Sequence, residues 1–200
     1  MRKITSYLVL ALVVSGSLFT SCGERPTEYE GWTLVWHDEF SKDGTPDPES
    51  WIFEKGFVRN HELQWYQESN ARCENGLLII EGRKARVHNE AYDPQSKSWR
   101  ENREFAEYTS SSIKTKDKFE FLYGRLEVKA RIPVSSGAWP AIWTLGSAQP
   151  WPSCGEIDLM EYYRIDSIPH LLANVACGSE KDGPKWASKK IPLTQFTDRD

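Results

Sequence analysis

The chain has 200 residues, 39% hydrophobic and 27% charged, with 9 Trp, 8 Tyr and 8 Phe. That composition excludes intrinsic disorder and suits one domain with a sizeable core. A formal net charge of −4 with no basic patch argues against nucleic acid as a partner.

The chain opens on a targeting segment. Arg2 and Lys3 supply a positive start, and SYLVLALVVSGSLF (6–19) is apolar but short for a membrane span. Phe19-Thr20-Ser21-Cys22 then sets small residues before a cysteine, which resembles a bacterial lipoprotein signal with Cys22 as the acylated first residue of the mature chain. This predicts a lipoprotein of the cell envelope, held at the outer membrane and facing the periplasm or the surface. Cleavage without lipidation would give a secreted form. Loss of residues 1–21 leaves 23 basic against 29 acidic residues, a net charge of −6. Residues 23–30, GERPTEYE, read as a short polar tether, and 31–200 as one catalytic domain. With Cys22 lipidated, Cys73, Cys154 and Cys177 remain, an odd number with no zinc-ligand spacing.

WTLVWH (32–37) is the first predicted strand, followed by the turn-rich SKDGTPDPES (41–50). ELQWYQ (62–67) is short and aromatic, a turn is predicted at Glu74-Asn75-Gly76, and LLIIE (77–81) is a predicted strand. Residues 83–107 are charged and non-periodic, so they read as a surface loop; a loop of this kind can rim a cleft and select substrate. Strand alternation resumes over Tyr108–Lys114 and Phe121–Ile132, where Leu126, Val128 and Ala130 share a face. GAWPAIWTL (137–145), WPSCGEIDLMEY (151–162) and HLLANVAC (170–177) continue the series. Short strands between turn signals, without a long amphipathic helix, predict an all-β antiparallel sandwich. The charged FTDRD at the end offers no closing strand, so the domain is expected to be incomplete at its C-terminus.

The stretch around Glu156 carries the chemistry. Glu156, Asp158 and Glu161 lie on an otherwise apolar strand, where like charges repel and desolvation raises pKa values. Alternation puts Glu156 and Asp158 on one face and Glu161 on the other. One extra residue, a β-bulge near Leu159-Met160, would return Glu161 to its partners. Two carboxyls flanking a bond are what glycoside hydrolysis requires, and a third acid can separate their pKa values.

EIDLME (156–161) matches the ExDxxE signature of glycoside hydrolase family 16, in the bulged form of its laminarinase-like members. WHDEF (36–40), NHELQWY (60–66), YGRLEVKARIP (123–133) and GAWPAIWTLG (137–146) resemble the same family in the same order. The resemblance implies a jelly roll with an open concave cleft and a retaining mechanism. It makes Glu156 the nucleophile, Glu161 the general acid/base and Asp158 their assistant. Aromatic residues on a cleft suit core packing or sugar stacking; the resemblance favours stacking for Trp139 and Trp143. It also places Asn60 near the substrate, and a hairpin turn flanked by Tyr163 and Pro169 would make Asp158 face the neighbourhood of Asn174, a further candidate substrate contact. Arg125 suits a sugar hydroxyl or an ion pair equally. Many relatives carry an aromatic or His near the position of Cys177, and whether Cys154 and Cys177 pair beside the site stays open. The four histidines show no ligand spacing. No cofactor is expected; relatives often hold a structural calcium, for which Glu39 is a candidate ligand, and no metal is assigned.

The expected activity is endo-hydrolysis of β-1,3 or mixed β-1,3/1,4 glucans. Endo-β-galactosidase action on galactan, agar or O-glycans shares the chemistry. A glycan-binding lipoprotein without turnover and a transglycosylase are the other readings; the intact acids argue against the binder.

Overall fold

The computed structural model describes residues 29–196, so Cys22, the leader and most of the tether lie outside the described residues. The chain divides into two compact units, Met1–Glu120 and Phe121–Asp200. Its regular structure is strand, with two short 3₁₀ turns at Glu68–Asn70 and Leu193–Gln195.

Among the described residues the first unit holds seven strands: β1 (Ile52–Phe53), β2 (Gln64–Tyr66), β3 (Ala71–Glu74), β4 (Leu77–Ile80), β5 (Arg83–His88), β6 (Phe105–Ser110) and β7 (Ile113–Lys114). β3 and β4 form a hairpin about the expected turn, with Asn75 (φ 54°) and Gly76 (φ 74°) in the left-handed conformation that a two-residue turn demands. β5 and β6 pair antiparallel, whereas β2 joins β6 in parallel, the one departure from an antiparallel arrangement among the described ladders. Phe57, Trp65 and Ala106 form a buried core, with Val87 and Trp99 packed on it.

Two strand expectations are corrected here. The charged run 83–107 is not all loop, because β5 and the start of β6 occupy its two ends. Ala85 and Val87 are half-buried between exposed Arg83, Lys84, Arg86 and His88. Basic stems cover this face: the Arg86 guanidinium lies 3.8 Å from the Phe105 ring centroid and 3.3 Å from Glu107. The second correction is Trp32–His37, which enters no ladder. Trp36 instead stacks on Phe119 at 5.2 Å and meets Trp51 edge-on at 5.6 Å.

The loop 89–104 is tied down at both ends. Asn89, 1% exposed, donates to the carbonyls of Arg100 (2.8 Å) and Arg103 (2.9 Å) and accepts from the Ala91 amide. Arg103 donates to the Glu62 and His61 carbonyls, and Trp99 stacks on His61 at 4.7 Å. The loop therefore braces the segment that carries Asn60.

The second unit is a four-stranded antiparallel sheet in the order β11-β10-β9-β8. Its strands are β8 (Ala141–Leu145), β9 (Glu156–Ile165), β10 (Ile168–Ser179) and β11 (Gly183–Pro192). β9 and β10 are joined by Asp166 (φ 48°) and Ser167 (φ 67°), a tight two-residue turn that sets their register. Tyr162 is fully buried and donates its hydroxyl to the Val134 carbonyl at 2.6 Å. Phe121–Ile132, predicted as a strand, belongs to none of the four sheets. Its alternation describes what a strand would need, but a ladder requires a partner, and Leu122 and Tyr123 are almost fully exposed.

Candidate active site

β9 lies inside the sheet, flanked by β8 and β10, and the register slips on both sides at the same place. Against β8, Ile142 and Trp143 are consecutive but face Met160 and Asp158. Against β10, Leu172 and Asn174 face Glu161 and Asp158. Both slips mark one surplus residue on β9 at Leu159-Met160, the bulge expected from the acid spacing. Cα partners share a face, so three rows cross the acid surface. Leu145, Glu156 and Ala176 form one; Trp143, Asp158 and Asn174 the next; Ala141, Glu161 and Leu172 the third.

Hydrogen bonds join the rows. Asn174, 6% exposed, uses its amide nitrogen for both Asp158 (Oδ2, 3.0 Å) and Glu161 (Oε2, 2.5 Å). Asp158, 4% exposed, stands two residues from Glu156 on the same face, where its charge acts on that carboxyl. Two indoles complete the set: Trp139 Nε1 donates to Glu161 Oε1 at 2.9 Å, and Trp151 Nε1 donates to Glu156 Oε2 at 2.7 Å. Each outer glutamate thus has its own tryptophan donor, and the Asn174 amide ties the central acid to Glu161.

This environment lifts both outer carboxyls above the ordinary range. For Glu161, burial is the larger cause and the Asp158 charge adds to it, while Trp139 and Asn174 pull back by stabilising the anion. For Glu156, burial again leads; the Trp151 donor opposes it, and the Asp158 charge pushes upward. A pair of carboxyls, one ionised to attack and one protonated to donate, is the equipment for double displacement at an acetal carbon.

The expected site residues fall into distinct places. Trp143 stands beside Asp158 on β8, half-buried. Trp139 is 49% exposed, with its ring free at one side and its N–H committed to Glu161. Asn174 lies opposite Asp158, within the neighbourhood that the hairpin implied, with its amide turned to the acids. Asn60 belongs to the first unit; it is exposed, and it and His61 both hold left-handed φ values of 55° and 53°. Arg59 and Glu62 fix this strained pair from either side, Arg59 by pairing with Glu54 and Glu62 by accepting from the Tyr66 hydroxyl. Arg125 pairs with Glu127. Trp151 was missed by the sequence reading; its signal was a lone tryptophan in the turn five residues before Glu156.

Cys73, Cys154 and Cys177 are all free thiols, so no disulfide joins Cys154 to Cys177. Alternation turns Cys177 away from the face that Ala176 shares with Glu156, and the Cys154 sulfur lies 3.3 Å from the Gly155 carbonyl. Among the described residues no group of three or more acids, histidines or cysteines is placed to hold a metal, and Glu39 has His37 as its neighbour at 3.4 Å.

Comparison with known proteins converges on one family. A profile described as "XgeA-like, catalytic GH16 domain" matches residues 51–171. The Beta-glucanase of Rhodothermus marinus is 39% identical over 173 residues, covering 81% of this chain and 54% of that protein. A solved structure from work on endo-acting O-glycanases of the human gut microbiota that initiate mucin breakdown superposes with a TM-score of 0.72 at 36% identity, covering 82% of this chain and 62% of that one. A non-specific endo-beta-1,3(4)-glucanase from family GH16, crystallised with 1,3-beta-D-cellotriosyl-glucose, gives 0.62 at 29% identity, covering 82% and 64%. The chain thus spans about half the length of the curated relative and under two thirds of the structures.

Proposed function

This chain belongs to glycoside hydrolase family 16, and we propose that it is a retaining endo-β-glycanase acting on internal β-1,3 or mixed β-1,3/1,4 linkages of glucans. The observation that carries the reading is the bulged β9, which gathers Glu156, Asp158 and Glu161 on one face under the Asn174 amide. In the first step Glu161 gives its proton to the glycosidic oxygen while the Glu156 carboxylate attacks the anomeric carbon, forming a covalent glycosyl-enzyme. In the second, Glu161 takes a proton from water, which displaces Glu156. A sugar hydroxyl in place of water would give transglycosylation. Asp158 and Asn174 hold the two glutamates in position throughout.

Glu156→Gln and Glu161→Gln should each lower hydrolysis of laminarin by roughly a thousandfold or more without unfolding the chain. Near-full activity in either variant would sink the assignment, and so would inverted products by NMR.

A second reading, endo-β-galactosidase action on O-glycans, is favoured by the likeness to the mucin-degrading structure. The net negative charge of the chain weighs toward a neutral glucan over a sulfated or sialylated one. Product profiling on laminarin, mixed-linkage glucan, agarose and mucin glycans separates the two. Anchoring through acylated Cys22 to the bacterial outer membrane is part of the proposal, supported by the small residues before that cysteine. Metabolic labelling with a fatty-acid analogue, lost in Cys22→Ala, tests it.

A further inference from the structure

β11 brings a fourth tryptophan to the acid face. Glu156 pairs with Ala176 on β10, and Ala176 pairs with Trp186 on β11 without a slip in register. Trp186 therefore stands on the same side of the sheet as the acids. It is 51% exposed, and among the described residues its indole makes no hydrogen bond and no ring stack. The residue between it and Glu156 is an alanine, 2% exposed, which sets no bulky side chain of its own between them.

Distance and direction give this a meaning. Two strand spacings separate Trp186 from Glu156, roughly 10 Å, about two pyranose rings laid end to end. Trp143 lies on the other side of β9, on β8, and Trp139 just precedes that strand. A glycan crossing the strands would thus meet aromatic side chains on both sides of the acids. An edge-strand tryptophan can also be a bystander, kept soluble by neighbours such as Lys185, Lys189 and Lys190. The alignment with Glu156 and the small residue between are what a bystander would not need.

We propose that Trp186 is a sugar-stacking platform, binding the pyranose two rings along from the one held at Glu156, on the side opposite Trp143. This rests on the β-glycanase reading. A flat indole face offers a pyranose a large rigid apolar surface at low entropic cost. The platform acts on long substrates only, because a short one ends before reaching it.

Steady-state kinetics on laminarihexaose and on an aryl β-laminaribioside test the assignment. Trp186→Ala should raise KM for the hexasaccharide about tenfold, leave its kcat within about twofold, and leave the bioside unaffected. Trp186→Tyr, which keeps a ring face, should recover most of the loss. An unchanged hexasaccharide KM, or an equal loss on both substrates, overturns the platform and leaves the glycanase reading intact. A wild-type protein that cleaves neither substrate overturns that reading and the platform with it.

Discussion

Trp139 and Trp151 do the same job for different glutamates, and the pH profile can tell them apart. An indole N–H stabilises the ionised carboxylate, so its removal raises that carboxyl's pKa further. The acidic limb of kcat/KM reports ionisation of the nucleophile, and the alkaline limb reports loss of the acid's proton. Trp151→Phe should therefore move the acidic limb to higher pH, and Trp139→Phe the alkaline limb to higher pH. Each should lower activity by roughly tenfold to a hundredfold. A fall in activity with both limbs in place would mean that the tryptophans only support the structure. Asn174 contributes to Glu161 in the same sense as Trp139, through the shorter of its two contacts.

The turn between β8 and β9 carries Trp151, and its shape depends on Gly146. The Gly146 amide donates to the Gly155 carbonyl at 3.2 Å, and a Cβ on Gly146 would stand 2.1 Å from the Cys154 carbonyl oxygen. No side chain fits there unless the turn opens. Gly146→Ala should thus cost about 1–3 kcal/mol of stability and weaken catalysis more than a distant substitution of equal cost, because opening the turn withdraws the Trp151 donor from Glu156. Paired denaturation and kinetic measurements decide it; an activity loss no greater than the stability loss explains would refute the coupling. The same element shows where sequence reasoning reaches its limit. The bulge was legible because acids at 156, 158 and 161 on an apolar strand admit few other arrangements. The role of Trp151 was not, since it arises from how the connection over residues 146–155 closes and leaves no periodic trace.

Over the whole molecule, the site is held against the preference of its own charges. Glu156 and Glu161 bind a proton more readily in the folded protein than in the unfolded chain. Their contribution to stability is fully present below the unfolded pKa and is lost as pH rises through the raised folded value. Glu161→Gln should accordingly melt at a higher temperature than the parent at pH 7, with the gap closing toward pH 4. Thermal denaturation at the two pH values measures it, and a gap that widens on acidification would contradict the sign. Legibility at this scale was uneven for a related reason. The all-β class could be read from alternation and turn residues, and so could the neighbourhood of Asn174 as what faces Asp158, though not the exact register. β5 could not, because its outward face is basic and only Ala85 and Val87 mark the inward one. Phe121–Ile132 shows the converse: a strand-like pattern that no sheet takes up.

The surplus residue at Leu159-Met160 makes the catalytic strand unequal in its tolerance of shortening. Removing Leu159 leaves Glu156, Asp158 and the last glutamate at every second position, a regular strand that still presents all three together and still matches Asn174 and Leu172 on β10. Removing Ile157 instead makes the first two acids adjacent and sends them to opposite faces. The chain thus has slack of one residue at a single point. A deletion at Leu159 should leave a folded protein with measurable turnover of laminarin, whereas the same deletion two residues earlier should leave none.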